Sequence, residues 1–96
     1  MTRAEALKLL KRYKIENAEK YGIHNLGIFG SFSRDEQKED RDIDIVIETA
    51  EPDPFKLVHI KEDLEAVFHK NIDLIRKRDK MNPYLLKRID KDAIYV

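Results

Sequence analysis

Residues 42–48 of the chain read Asp-Ile-Asp-Ile-Val-Ile-Glu, and this stretch gives the clearest indication of the fold. Polar and apolar side chains alternate through most of it, which is the pattern of a β-strand with one face towards a core. The three isoleucines then share the buried face. Asp44 lies on the opposite face, and Asp42 shares that face because alternate strand residues project to the same side.

Outward from this strand, hydrophobic periodicity predicts three longer helices, one short helix and two more strands. In chain order we predict a capped helix from residue 2 to residue 21, a strand over 23–29, a short helix within 32–38, the strand over 43–48, a helix over 54–69, a strand over 72–75 and a helix from 83, with a final extended piece over 93–96. This order predicts an α/β (α+β) fold, in which one small mixed β-sheet is flanked by helices. The length of 96 residues predicts a single domain spanning 1–96.

The composition argues against several classes of protein. Nineteen basic and nineteen acidic side chains give a formal net charge of zero, whereas general nucleic-acid-binding proteins usually carry a basic excess. The chain has no cysteine, which excludes disulfides and thiolate metal sites. No apolar run approaches the roughly 20 residues of a membrane span, and no signal peptide is recognisable. We therefore expect a soluble cytoplasmic protein.

Three features could carry chemistry. Gly30-Ser31 ends a strand abruptly, where a glycine lets the backbone approach a ligand, and the serine hydroxyl and nearby free N–H groups can bind phosphate oxygens. Asp42 and Asp44 can coordinate hard divalent cations such as Mg²⁺ through their carboxylates. Asp73 is a lone acid in a short apolar strand, where a nearby cation would compensate the cost of burial.

Each feature alone has a plainer interpretation. Gly-Ser is most often only a turn, and Asp-x-Asp is often a solvated strand face. Asp73 could be a strand-end acid that faces water and that could also pair with Arg76 or Arg78. The combination favours one shared site. If the three strands are neighbours, Asp73 lies beside Asp42 and Asp44 on one face of the sheet, with the Gly-Ser turn at its edge.

The chain contains, in order, Gly30-Ser31, a gap of ten residues, Asp42-x-Asp44 and a later single Asp73. This combination resembles the nucleotidyltransferase signature of the DNA polymerase beta superfamily. It is most similar to the minimal nucleotidyltransferase (MNT) antitoxin family, whose members are encoded beside HEPN-domain toxins. The resemblance runs through nearly the whole chain and implies the nucleotidyltransferase fold.

For the phosphate-binding segment, the resemblance implies that Gly30 and Ser31 bind the triphosphate of ATP. Arg34 matches an arginine that is common in the family's Gly-Ser-x-x-Arg segment, and it would contact phosphates. Two positions depart from the family pattern, because Asp35 stands where a glycine is typical and Arg41 where a serine is common. The negative charge of Asp35 could weaken nucleotide binding, and Arg41 could offset that effect.

For the acidic residues, the resemblance implies that Asp42 and Asp44 coordinate two Mg²⁺ ions. Asp73 would share the ion nearer the acceptor and help to deprotonate the attacking hydroxyl. The implied activity is transfer of AMP from ATP, usually to a tyrosine of the partner toxin, which is thereby silenced. Since so small a domain has little room for a second substrate pocket, we expect a HEPN-type toxin to complete the site in a hetero-oligomer.

Two other functions stay open from the sequence. The chain could be a non-catalytic binding module that neutralises its partner by surface complementarity and keeps only a vestigial nucleotide site. The departures at residues 35 and 41 favour that alternative. The chain could also be a transferase that modifies a small molecule or an RNA end, because the acceptor site leaves no readable motif.

Overall fold

The computed structural model describes residues 1–34 and 42–96, which form three helices and a four-stranded sheet. In chain order, the elements are α1 (Arg3–Tyr21), β1 (Ile23–Phe29), β2 (Ile43–Thr49), α2 (Pro54–Phe68), β3 (Ile72–Arg76), α3 (Pro83–Asp92) and β4 (Ile94–Tyr95). The strand order is β3-β2-β1-β4, in which β2 and β3 are parallel and the other two pairs are antiparallel. The predicted mixed sheet flanked by helices is confirmed.

Capping side chains set the starts of the helices, as their sequence patterns predict. The Thr2 hydroxyl accepts a hydrogen bond from the backbone N–H of Glu5, and Asp53 and Asn82 cap α2 and α3 in the same way. Gly22 ends α1 at a φ of 65°, a left-handed conformation that glycine adopts without steric cost. Among the described residues, no helix combines the length and the apolar character needed to cross a membrane.

Two local predictions differ from the structure. The described part of the predicted short helix over 32–38 is a turn, which spans residues 30–34, and the rest lies outside the described residues. Asp35 and Arg41 also lie outside them, so the structure does not test their predicted effects on nucleotide binding. The helix α2 ends at residue 68, because His69 takes a left-handed φ of 54° and its N–H closes the last turn.

The sheet separates two sets of buried side chains. The larger set lies between the sheet, α1 and α2, and contains Ala6, Leu10, Tyr13, Ile23, Leu26, Ile28, Phe32, Ile43, Ile45, Ile47, Ile60, Leu64, Phe68 and Ile72. The smaller set, on the opposite face, brings Phe29 and Val46 of the sheet against Ile89 of α3. The alternation predicted for β2 is therefore confirmed, and Asp44 lies on the face that α3 covers, two residues before Val46.

Candidate active site

Asp44 and Asp73 lie opposite each other on neighbouring strands. The parallel register of β2 and β3 pairs these two residues directly, so both side chains leave the same face of the sheet. The pKa of the half-buried Asp44 carboxyl is raised above its usual value, mainly by burial and next by the negative charge of Asp73. A side-chain hydrogen bond between the two carboxyls acts in the same direction. The structure therefore brings these two predicted site residues together.

The plainer interpretation of Asp73, a strand-end acid that faces water and pairs with a nearby arginine, agrees with the structure in its exposure but not in its pairing. Asp73 is exposed, and it also faces Asp44. The guanidinium of Arg76 donates instead to the hydroxyl of Thr49, at 3.2 Å. In the part of the chain that the structure describes, no salt bridge joins Asp73 to Arg76 or Arg78.

Asp42 lies immediately before β2 and is exposed. It lines a pocket of about 250 Å³ together with Asp44, Ser31, Arg34 and Arg88. The negative charge of Asp42 contributes to the raised pKa of Asp44, which shows that the two carboxylates are within electrostatic reach. Four of the six predicted site residues thus line one pocket, and the other two are next to it in sequence or in register.

The position of the Asp44 carboxylate leaves no room for a side chain at residue 30, which is a glycine. Its φ of 70° is left-handed, and a Cβ placed on it would lie 2.3 Å from Oδ2 of Asp44. Any side chain at this position would have to displace that carboxylate. The predicted approach of a ligand to this glycine stays a prediction, and the structure adds a second reason for the glycine, because the Asp44 carboxylate occupies the space of the missing side chain.

The turn that carries Ser31 is held in place by the residues around it. Phe32 is buried in the larger core, and the hydroxyl of buried Ser33 donates to the carbonyl of Gly30 at 2.8 Å. From α1, Arg3 donates to the carbonyl of Ser33 at 2.9 Å. Because the turn is fixed by a buried ring, a hydroxyl and a guanidinium, Ser31 is held at the rim of the pocket with its side chain partly exposed.

Within residues 1–34 and 42–96, two arginines line the pocket, Arg34 and Arg88, and of these two the sequence predicts only Arg34. Arg34 forms a salt bridge with Asp92 in the last turn of α3. Arg88, one turn earlier, lies close enough to Asp44 that its positive charge opposes the rise in the pKa of that carboxyl. Arg88 follows Leu85 by three residues and so lies on the apolar side of α3, and this spacing is the signal that could have identified it.

The carboxylate oxygens of the pocket are suitable ligands for Mg²⁺. Among residues 1–34 and 42–96, no group of three or more His, Cys, Asp or Glu side chains is arranged to hold a metal ion. Protein-bound Mg²⁺, however, is often held by one or two carboxylates and completes its shell with water and substrate phosphates. Asp44 and Asp73 are two facing carboxylates whose mutual repulsion a cation would offset. The residues therefore fit a metal that binds together with a nucleotide, and the three-residue metal site stays a prediction.

When the sequence is compared with known proteins, the matching family model and the similar relatives agree with each other. The family model described as "Polymerase beta, Nucleotidyltransferase" matches residues 12–96. A relative from Methanocaldococcus jannaschii, whose name proposes protein adenylyltransferase activity, is 40% identical over 96 residues, which cover 99% of this chain and 98% of the relative.

Solved structures share the fold. One, described as a proposed minimal nucleotidyltransferase, matches with a TM-score of 0.79 at 24% identity and covers 98% of this chain and 95% of that chain. A second comes from the complex of a tri-AMPylated Shewanella oneidensis HEPN toxin with an MNT antitoxin. It matches with a TM-score of 0.62 at 20% identity, over 97% of this chain and 66% of that chain. At these identities the likeness concerns the fold alone.

Proposed function

Because the chain belongs to the polymerase beta nucleotidyltransferase family, we propose that it transfers AMP from ATP to a hydroxyl group of a partner protein, with Mg²⁺ as its cofactor. The observation that carries this proposal is the register pairing of Asp44 with Asp73 beside the Gly30-Ser31 turn. Phosphoryl-group chemistry needs positioning and charge stabilisation more than a reactive protein group, and acidic residues beside a phosphate-binding turn supply both. The name of the Methanocaldococcus jannaschii relative supports a protein as the acceptor.

The turn and its arginine form the phosphate side of the pocket. The Ser31 hydroxyl lies at the rim, where it can donate to a phosphate oxygen. Arg34 adds a guanidinium, whose planar set of donors matches the geometry of phosphate. Because Phe32 and Ser33 are buried, the turn does not have to be reorganised when the nucleotide binds.

The carboxylates supply the metal-binding groups of the pocket in this proposal. Asp42 and Asp44, with Asp73, would hold Mg²⁺, which when bound supplies neutralising charge at the phosphates. Asp73 is the exposed member of its pair, so it can reach an incoming hydroxyl and accept its proton. The hydroxyl oxygen forms a bond to the α-phosphorus as the bond to the β-phosphate oxygen breaks, and pyrophosphate leaves. No covalent intermediate with the protein is required.

We further propose that the acceptor is a tyrosine of a HEPN-type toxin, and that the chain acts as the antitoxin in a hetero-oligomer. The structural neighbour that contains an AMPylated HEPN toxin and an MNT antitoxin supports this partner. Exposure supports it as well, since Asp42 and Asp73 lie where a side chain from another protein can reach them.

Mass spectrometry of the partner tests the proposal. Wild-type protein is incubated with ATP, Mg²⁺ and a HEPN-type toxin from the same organism, and the added mass of AMP is located on the toxin by peptide mapping. We expect Asp42→Asn and Asp44→Asn to abolish this addition, because each loses a charged ligand of the pocket. Asp53→Asn is the matched control, since Asp53 caps α2 and asparagine caps a helix equally well.

Two results would count against the proposal. Full transfer by either pocket variant would show that the carboxylates do not act in the reaction. Neutralisation of the toxin by wild-type protein without any added mass would favour the non-catalytic binding module instead.

A further inference from the structure

The helix α3 contributes to the pocket, although no residue of the nucleotidyltransferase signature lies on it. We propose that Arg88 of α3 binds the polyphosphate tail of the nucleotide and is, among the residues that the structure describes, the main cationic contact of the pocket. This inference rests on the proposed function, because it assigns a substrate contact within the same site. It concerns a residue that the Gly-Ser, Asp-x-Asp and single-Asp pattern does not include.

The position of Arg88 is fixed by the packing of α3. Ile89, the next residue, is fully buried against Phe29 and Val46. The guanidinium carbon of Arg88 lies 5.8 Å from the centre of the Phe29 ring, within the range of a cation–π contact. Phe29 directly precedes Gly30. The residue whose ring contacts Arg88 is therefore also the last residue before the turn proposed to bind phosphate.

The two arginines of the pocket differ in what they already bind. Arg34 is paired with Asp92, whose side chain is only 8% exposed, so a buried carboxylate offsets its charge. Arg88 makes no salt bridge within the described residues, although it lies near Asp44. Its side chain is exposed and lines the pocket, and its donors are therefore available to a ligand.

The charge of the pocket favours such a contact. In the described part of the chain, three carboxylates lie in or beside it, at Asp42, Asp44 and Asp73, and a nucleoside triphosphate brings further negative charge. Repulsion between anions at short range disfavours binding unless cations are present. A guanidinium binds phosphate with paired donors and keeps its charge at any physiological pH. Arg88 therefore favours ligands with several phosphates over a nucleoside monophosphate.

Calorimetric titration of ATP and AMP in the presence of Mg²⁺ tests this role. The variants are Arg88→Gln, which keeps the aliphatic stem on Phe29, and Arg88→Lys, which keeps the charge but not the planar fork. We expect Arg88→Gln to weaken ATP binding about 10-fold or more and AMP binding less than about 3-fold, since a charged hydrogen bond to phosphate is lost. Arg88→Lys should fall between Arg88→Gln and wild type for ATP.

The control is Lys87→Gln, which removes an exposed positive charge from the neighbouring position of α3. It should leave ATP affinity within about 2-fold of wild type, because a general field effect is small at screened surface charges. An unchanged ATP affinity in Arg88→Gln, or an equal loss for ATP and AMP, would overturn the inference. If Arg88→Gln gives either of those results while wild-type protein transfers AMP normally, only the proposed role of Arg88 is wrong. If wild-type protein binds no nucleotide, the proposed function fails as well.

Discussion

At Gly30, the absence of a side chain serves two purposes. The left-handed φ of 70° ends β1 and starts the turn that carries Ser31. The space that a Cβ would fill is occupied by Oδ2 of Asp44, at 2.3 Å from the ideal Cβ position. The same residue therefore positions the turn proposed to bind phosphate and leaves room for the Asp44 carboxylate, so the Gly-Ser and Asp-x-Asp motifs are in direct contact.

We expect Gly30→Ala to impair both stability and activity. The left-handed conformation costs an L-residue roughly 1–2 kcal/mol, and the new methyl group must push the Asp44 carboxylate aside. Urea denaturation should show that loss in the free energy of unfolding. AMP transfer by the folded fraction should fall at least about 10-fold, because displacing a reacting group by about 1 Å is that costly.

Gly22→Ala provides the control. Gly22 has a similar φ of 65°, but it lies at the opposite end of β1, and its Cβ would meet Ala50 Cβ at an ordinary 3.4 Å. It should lose a comparable free energy of unfolding and keep its transfer activity when folded. Equal activity in the two variants would show that the contact between Gly30 and Asp44 has no part in the reaction.

The sequence suggests the candidate site residues one by one, and it predicts that they meet only on the condition that the three strands are neighbours. Alternation in β2 fixes the face of Asp44, because a strand side chain has only two directions available. That Asp73 faces Asp44 depends on β3 pairing with β2, and strand order is set by contacts between distant segments. Helical spacing places Arg88 on the apolar side of α3, but its place at the pocket also depends on where α3 packs, with Ile89 against Phe29 and Val46, and that packing is not specified by a local pattern.

The helix α3 both packs against the sheet and lines the pocket, so a loss of its stability should also affect the pocket. It has ten residues, a length at which an isolated helix is marginal in water. The side-chain oxygen of Asn82 accepts from the N–H groups of Tyr84 and Leu85, at 2.9 and 3.4 Å. From this capped helix, Arg88 and Asp92 reach the pocket and its other arginine.

We expect Asn82→Ala to lower both stability and ATP affinity. Loss of a cap side chain costs about 1 kcal/mol, and fraying of α3 should loosen the position of Arg88. The matched control is Asp53→Ala, which removes the same kind of cap from α2, a helix that does not line the pocket. Thermal melting should show similar losses in the two variants. Calorimetry should show weaker ATP binding in Asn82→Ala only, and equal ATP affinities would separate α3 from nucleotide binding.

For the last strand, the sequence predicts extended structure but not the strand with which it pairs. An extended piece over 93–96 was predicted, and β4 is its structured part. Its place beside β1 depends on Gly27, where a Cβ would lie only 2.7 Å from the carbonyl oxygen of Ile94. A glycine within a strand signals a close backbone approach, but it does not identify the segment that approaches.

The two faces of the sheet differ, because one carries the larger core and the other carries the pocket. The face towards α1 and α2 holds the larger core, and the face towards α3 holds the pocket. On the larger side, α1 and α2 are joined by the Tyr13 hydroxyl, which donates to Oδ2 of Asp63 at 2.8 Å. The hydroxyl of Tyr21 donates to the same oxygen at 3.4 Å. A change at Tyr13 should therefore alter stability and leave the chemistry of the pocket intact.

The pH dependence of Tyr13→Phe tests this separation. Burial, and next the hydrogen bond to Asp63, raise the pKa of the Tyr13 phenol above its usual value, so the unfolded chain releases this proton first as the pH rises. The wild type then loses stability above a pH of about 10, whereas the variant has no such proton to lose. Near pH 8 the variant should be less stable by about 1–2 kcal/mol, the worth of a hydrogen bond to a carboxylate. We expect urea denaturation to show this gap narrowing as the pH rises, with AMP transfer near neutral pH unchanged. A gap that stays constant through the alkaline range would mean that Tyr13 is not held protonated by its surroundings, and a loss of transfer would mean that the two faces of the sheet are coupled.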